Sequence, residues 1–328
     1  MLQDASGRTI TSLRVSVTDR CNLRCRYCMP EEGVTFLEHA EILRYEEMER
    51  ILRVAVQLGV TKVRLTGGEP LVRKDVAAFI ARLRQLPGLQ TLSLTTNGVL
   101  LENCAVALKQ AGIDYLNISL DTLNPAKFAQ ITRFAQLEQV LAGIRAAKQA
   151  GFALLKVNVV SRRGVNDDEL FDFVEFAEQH EVVLRFIEYM PFYGNRWEQD
   201  GFLSSEELRT RLAQRYELRP LTEDPSAPAR TYQIPGHKGR LGFISAVSES
   251  FCGQCNRLRL TADGHLRPCL HGKLEIDLKG PLRRGASDAE LTALFWEAAQ
   301  RKPASHHDFL EQPYPCATVD REMVRIGG

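Results

Sequence analysis

The chain has 328 residues, 44% of them apolar and 25% charged, and carries a formal net charge of +1, which suits one large soluble domain or one large and one small. A near-neutral balance offers no global field to nucleic acid or an anionic membrane, and no apolar run approaches the ~18 residues of a membrane span. Asp4, Arg8, Arg14, Asp19 and Arg20 break the first thirty residues, so no secretory leader is expected, and in a reducing cytoplasm eight cysteines point to metal or redox chemistry rather than disulfides.

A first strand-like run, 13–17, leads into Cys21-Asn-Leu-Arg-Cys25-Arg-Tyr27-Cys28. The C-x3-C-x2-C spacing puts three thiols on one short loop. A [4Fe–4S] cluster takes one cysteine per iron, so three would leave one iron open to a ligand. Zinc is the alternative, although it favours four ligands and paired C-x2-C spacing. Tyr27 either packs or lines a ligand. Further strands are predicted at 62–66, 91–97, 115–121, 153–160 and 182–190. Amphipathic helices alternate with them near 45–58, 76–86, 102–111, 137–150 and 167–180, and a sixth follows near 206–216. Gly59, Gly112 and Gly151 punctuate helix ends. Asn166 with Glu169, and Ser204 with Glu207, have capping spacing at helix starts. Six strand–helix units in a row predict a parallel sheet covered by helices.

Side chains alternate faces along a strand, and parallel strands buried on both faces read as continuous apolar runs. These do not. Leu13, Val15, Val63, Leu65, Leu92, Leu94, Leu116, Ile118, Leu155 and Val157 share one face; Arg14, Lys62, Arg64, Ser93, Thr95, Asn117, Ser119, Lys156, Asn158 and Arg185 share the other. An open sheet with a solvated face would read this way. An incomplete (βα)6 TIM-type barrel fits better, because right-handed crossovers stack helices on one side of a curling sheet and the polar side then lines a lumen. Five inward cations, Arg14, Lys62, Arg64, Lys156 and Arg185, repel one another unless paired. A bound polyanion such as a triphosphate would satisfy them. Internal salt bridges are the alternative, with Asp121 and Glu188 the obvious inward carboxylates.

Beyond a Pro-rich linker at 225–235, Cys252, Cys255 and Cys269 form C-x2-C-x13-C around Arg257-Leu258-Arg259. A zinc knuckle completed by His265 or His271 and a second three-thiolate cluster are both compatible with this spacing. The alternate spacing of Arg257 and Arg259 puts both on one strand face, where they would add phosphate-binding charge. The expected division is a partial barrel over 5–222 and a smaller C-terminal cluster-binding region over 223–328. Segment 192–197 reads as a variable loop. Cys104 and Cys316 are isolated and read as ordinary buried thiols. By sequence physics Gly327-Gly328 is a frayed end.

The Cys21-x3-Cys25-x2-Cys28 loop, followed about 40 residues on by Thr66-Gly67-Gly68-Glu69-Pro70, resembles the signature of the radical S-adenosylmethionine (SAM) superfamily. Within it, the run Arg185-Phe-Ile-Glu188-Tyr-Met190-Pro, the Cys252-x2-Cys255-Asn-Arg257-Leu258-Arg259 segment, Cys269 and the terminal glycines resemble the GTP 3′,8-cyclase family. The resemblance implies two [4Fe–4S] clusters, one on Cys21, Cys25 and Cys28 that binds SAM and one on Cys252, Cys255 and Cys269 that binds the guanine base. It implies SAM contacts at Tyr27, Gly68, Ser119 and Met190. GTP contacts follow at Arg14, Arg64, Thr95, Lys156, Arg257, Leu258 and Arg259, with Lys62 and Arg185 as added phosphate contacts. Arg257, Arg259, Gly327 and Gly328 become catalytic, the double glycine reaching the site along a path only glycine threads. The implied reaction opens molybdenum cofactor synthesis: SAM cleavage gives a 5′-deoxyadenosyl radical that takes H3′ of GTP, and C3′ joins C8. Implied partners are a reductant protein or small electron donor, the downstream cyclic pyranopterin monophosphate synthase and a second copy in a homodimer, with no nucleic acid and no membrane.

Two rivals remain at this point. A peptide-modifying radical SAM enzyme would carry more C-terminal cysteines, and Arg257 and Arg259 favour a phosphorylated substrate. A zinc-stabilised binding protein would hold zinc and no iron.

Overall fold

The computed structural model describes residues 1–30, 32–191, 201–222, 224–305 and 321–327. Segment 192–197, Cys316 and Gly328 therefore lie outside the described residues.

Six strand–helix units follow the expected order. The strands are β1 (Ser12–Ser16), β2 (Lys62–Thr66), β3 (Thr91–Thr96), β4 (Tyr115–Ser119), β5 (Leu155–Ser161) and β6 (Val183–Glu188). Between them lie α1 (Tyr45–Gln57), α2 (Val76–Arg84), α3 (Leu101–Gln110), α4 (Pro125–Thr132), α5 (Leu137–Gln149) and α6 (Leu170–His180), with α7 (Ser205–Ala213) after β6. Adjacent strands β1 to β6 pair in parallel. Leu13, Val15, Leu65, Leu92, Leu94, Leu116, Ile118 and Val157 are buried in the core under the helices, so the apolar face is the helix face. Gly59, Gly112 and Gly151 take positive φ just past α1, α3 and α5. α5 packs tightly on α3 because Gly143 lacks a Cβ, which would lie 2.6 Å from the carbonyl oxygen of Gly98.

Two local expectations change. Ser204 caps α7 through the Glu207 amide at 3.1 Å, but Asn166 caps nothing. Its side chain instead donates to the carbonyls of Asp121 (2.7 Å) and Val160 (2.9 Å), tying the ends of β4 and β5 together. Helix α4 was not expected. It is short and ends at Arg133 in the left-handed region, and it starts on Asn124, which accepts from the Ala126 and Lys127 amides.

The C-terminal third adds β7 (Arg219–Pro220), β8 (Arg230–Gln233), β9 (Arg240–Ile244), β10 (Arg257–Leu260), β11 (His265–Arg267) and β12 (Ile276–Asp277), then α8 (Lys279–Arg283), α9 (Asp288–Gln300) and α10 (Met323–Ile326). β9 pairs in parallel with β6, and β10 in parallel with β1. Strands from both sides of residue 222 thus share one sheet, ordered β12-β11-β10-β1-β2-β3-β4-β5-β6-β9-β8-β7 among the described residues. Among the described residues its ends do not pair with each other, so the barrel they form is open.

Candidate active site

A cavity of about 310 Å³ fills the polar side of the sheet, and the cysteines of both triads line it. Parallel pairing sets Arg257 beside Ser12 and Leu260 beside Val15. Cys255 stands just before β10 begins, whereas Cys21 follows the end of β1. The triads therefore lie at opposite ends of the lumen, separated by the length of β1, ~15 Å at the rise of a strand.

The first loop is held from several sides. The Cys28 and Met29 amides both donate to the Cys25 carbonyl, at 2.9 and 3.0 Å, and the Arg24 and Arg26 amides donate to the Thr132 and Ile131 carbonyls at the end of α4. The Leu23 amide and Asn97 Nδ2 point at Cys21 Sγ, at 3.4 and 3.7 Å. The Tyr27 hydroxyl donates to Asp121 at 2.6 Å. Burial pushes the Cys21 thiol up to about 11, and Cys25 and Cys28 also rise, again chiefly through burial. Buried thiols that resist ionisation alone suit a site whose metal supplies the compensating positive charge.

Beside this loop the chain turns at Gly67-Gly68-Glu69. The Gly68 amide donates to the Thr18 carbonyl (2.7 Å) and the Glu69 amide to that of Arg20 (2.8 Å). A Cβ on Gly68 would lie 2.3 Å from the Arg20 oxygen, so only glycine brings these backbones together. The Glu69 carboxylate accepts from Leu71 N, Thr96 Oγ1 and Asn97 N at 3.0, 2.8 and 2.6 Å. Burial outweighs those bonds and raises it to about 7.

The second triad has the opposite surroundings. Arg257 Nη2 and Lys302 Nζ each approach Cys255 Sγ at 3.5 Å. Burial alone would raise that thiol; the two cations bring it down to about 6. Arg8 Nη1 holds the Cys252 carbonyl at 2.6 Å.

Between the triads runs a rung of guanidinium groups. Arg259, Arg14 and Arg64 sit in register on β10, β1 and β2. Burial, then the neighbouring guanidinium groups, holds Arg14 well below the usual range, and Arg259 falls to about 9 through burial and Arg257. The inward carboxylates do not neutralise them. Asp121 accepts from Tyr27 and the Val160 amide. Glu188 accepts from the amides of Ser205, Val247 and Ser248 and from the Ser248 hydroxyl. A rung of inward cations whose nearby carboxylates are committed elsewhere suits an anion.

The cavity brings together Tyr27, Gly68, Ser119 and Met190 with Arg14, Arg64, Thr95, Arg185, Arg257, Arg259 and all six cysteines. Four expected contacts stand apart from its lining. Lys62 is half exposed at the amino end of β2 and pairs with Asp224 at 3.1 Å, because it lies one turn of the pleat below Arg64. Lys156 lies over the Tyr115 ring, 4.0 Å from its centroid. Leu258 points to the helix face and is buried in the core, as strand alternation requires between two inward arginines. Gly327 does not line the cavity, yet its carbonyl accepts from Arg259 Nη1; Gly328 lies outside the described residues. His265 pairs with Asp263 at 3.2 Å, while His271 lines the cavity. Among the described residues no three His, Cys, Asp or Glu side chains converge on a single ion. Cys104 is half-buried against the core.

Sequence reasoning missed Tyr115 and Lys302. Tyr115 shares the parity of Asn117 and Ser119, which could have found it. Its hydroxyl accepts from Arg64 at 3.4 Å; burial would raise it, but Arg64 and Lys156 bring it down to about 7. Lys302 stands alone in the sequence and carries no signal.

Three thiols on the loop after the first strand of a partial barrel, beside a Gly-Gly-Glu-Pro turn, define a radical SAM enzyme. Residues 15–177 match the family model described as the Radical SAM superfamily, and residues 182–308 match that described as Molybdenum Cofactor Synthesis C. The GTP 3′,8-cyclase of Moorella thermoacetica is 47% identical over all of both chains, and that of Heliobacterium modesticaldum 49% over 99% of each. The chain belongs to the GTP 3′,8-cyclase family. Membership brings SAM and an iron–sulfur cluster. Among solved structures, Streptococcus suis SuiB bound to S-adenosylmethionine shares the fold, with a TM-score of 0.58 at 15% identity; the match covers 80% of this chain and only 61% of that one.

Proposed function

We propose that this chain is a GTP 3′,8-cyclase that forms (8S)-3′,8-cyclo-7,8-dihydroguanosine 5′-triphosphate for molybdenum cofactor synthesis, with a [4Fe–4S] cluster on each cysteine triad. One observation carries the reading: a single cavity has three thiols at each end and the Arg259–Arg14–Arg64 rung between them.

Cys21, Cys25 and Cys28 would hold the first cluster, which with SAM supplies a 5′-deoxyadenosyl radical when reduced. Gly68 offers its close-packed backbone to the methionine end of SAM, and Tyr27, Ser119 and Met190 flank the nucleoside end. Cys252, Cys255 and Cys269 would hold the second cluster, against which the guanine is placed. Arg14, Arg64, Arg185, Arg257 and Arg259 take the triphosphate, with Thr95 beside them; Lys156 extends the positive field toward the amino ends of the strands, and Lys62 would join it on leaving Asp224. Leu258 contributes backbone only. Arg257, Arg259, Gly327 and Gly328 would complete the catalytic set by fixing the substrate. Fixing matters because C3′ must face the abstracting carbon and then C8, while the barrel excludes water.

A protein or small-molecule reductant supplies electrons, and cyclic pyranopterin monophosphate synthase consumes the product. The cytoplasm suits both. No helix among the described residues is long and apolar enough to cross a membrane. A homodimer is read out by sedimentation. The deciding assay is anaerobic: reconstituted protein with GTP, SAM and dithionite should release 5′-deoxyadenosine together with the cyclised nucleotide. Deoxyadenosine without any cyclised nucleotide would overturn the reading, and zinc without iron would end it.

A further inference from the structure

Lys302 is a buried cation outside every motif, 5% exposed. It follows α9, which packs against the outside of β11 and β12, and its side chain turns inward to line the cavity. The ammonium has three donors and three partners: Cys255 Sγ at 3.5 Å, the Arg257 carbonyl at 2.9 Å and the Pro268 carbonyl at 2.7 Å. Those acceptors belong to the two stretches that carry the second triad. Arg257 follows Cys255, and Pro268 precedes Cys269.

Two consequences follow. Lys302 clamps the start of β10 to the end of β11, so it sets the separation of Cys255 and Cys269. It is also a cation with no carboxylate among its described partners. Burying a charge is costly unless an opposite charge meets it. A thiolate of a bound cluster would supply that charge. Hydrogen bonds and positive charge at the sulfurs raise a cluster's reduction potential. At the first triad the donors aimed at a sulfur are uncharged, Leu23 N and Asn97 Nδ2 at Cys21, and the side-chain charges that act on its thiols are the carboxylates of Glu69 and Asp121.

The geometry points to Lys302 as the residue that positions the second cluster and raises its reduction potential above that of the first. This rests on the two-cluster reading above. The electrostatic contrast has a use. SAM cleavage needs a strongly reducing cluster, and a second cluster poised higher holds substrate without competing for that chemistry.

The experiment uses the full chain after anaerobic reconstitution. Iron and sulfide are counted in the wild type and in a Cys252→Ala, Cys255→Ala, Cys269→Ala variant. Equal counts would remove the second cluster and the role of Lys302 together. With the lower count established for that variant, Lys302 is tested in a Cys21→Ala, Cys25→Ala, Cys28→Ala background, which isolates the second cluster. Its midpoint is titrated by electron paramagnetic resonance, and iron loss to a chelator is timed. Lys302→Met should move the midpoint to more negative potential and speed iron loss several-fold; Lys302→Arg should restore much of both. An unchanged midpoint in Lys302→Met would overturn the proposal while leaving the two clusters standing. So would an arginine variant that shifts as far as methionine, since charge would then not matter. Circular dichroism of each apo-protein separates these outcomes from loss of fold.

Discussion

Arg259 donates from Nη1 to the carbonyl oxygen of Gly327. One end of that bond lies in the guanidinium rung; the other is the last described residue of the chain. Gly327 has φ +80°, and a Cβ there would lie 2.7 Å from Thr66 Cγ2 and 3.3 Å from Ser16 Cβ. Both the backbone conformation and the space reject a side chain. Gly327→Ala should therefore lower cyclised-product formation ~10-fold or more, since misplacement of a positioning group by ~1 Å can cost ~100-fold. Iron content should stay at the wild-type level. Deleting Gly327 and Gly328 should do the same; unchanged turnover would exclude a role for the tail.

Arg257 and Arg259 face the lumen, whereas the first triad is served by other residues. Replacing both arginines by alanine should weaken GTP use while leaving slow SAM cleavage. Chromatography would then show 5′-deoxyadenosine in excess over cyclised nucleotide. Cys25→Ser should abolish both products.

The Tyr27–Asp121 bond ties the first cysteine loop to the end of β4. Tyr27→Phe leaves a buried carboxylate short of a donor, at a cost of ~1–3 kcal/mol. The apo-protein should melt several degrees lower, and iron should leave the first triad faster. Asp121→Asn, whose oxygen can keep the Val160 amide while its nitrogen donates to the Tyr27 hydroxyl oxygen, should be milder by both measures.

Glu69 and Asp121 are held up by burial, at about 7 and about 6 against ordinary values of 4.5 and 3.8. Both bind a proton more tightly folded than unfolded. The stability they contribute is complete below about pH 4 and is lost as pH rises through 6 to 7. Tyr115 runs the other way: lowered to about 7, it adds stability that is complete above about pH 10 and lost as pH falls to 7. Apo-protein melting should thus decline between pH 5 and 7. Glu69→Gln should flatten that decline, and an equal slope in both proteins would count against it.

Glu188 brackets β6, the start of α7 and the segment that leads to Cys252 through four hydrogen bonds. Glu188→Gln turns one acceptor into a donor facing an amide. Urea unfolding should show a loss of ~2 kcal/mol or more, with iron lost selectively from the second triad.

The parallel barrel and its polar face were legible because period-two alternation survives in β1 to β5 even where single residues are ambiguous. The first triad was legible because all three cysteines sit on one loop. The placement of β10 beside β1 was not: Arg257-Leu-Arg259 announces a strand face but says nothing of its neighbour, which is set by packing some 240 residues away. Lys62 and Arg64 share parity, so alternation could not tell a lumen contact from one at its mouth. Lys302 was invisible for a different reason: a single lysine after a helix has no pattern.

The pairing of β10 with β1 also has a consequence in time. On the ribosome β1 is finished first, and one of its edges has no partner until residues 257–260 emerge. At ~5–20 residues per second that interval is ~12–48 s, during which an unpaired strand edge invites pairing with other chains. The nascent chain thus passes through a period of exposure, ended by the strand that carries the two inward arginines.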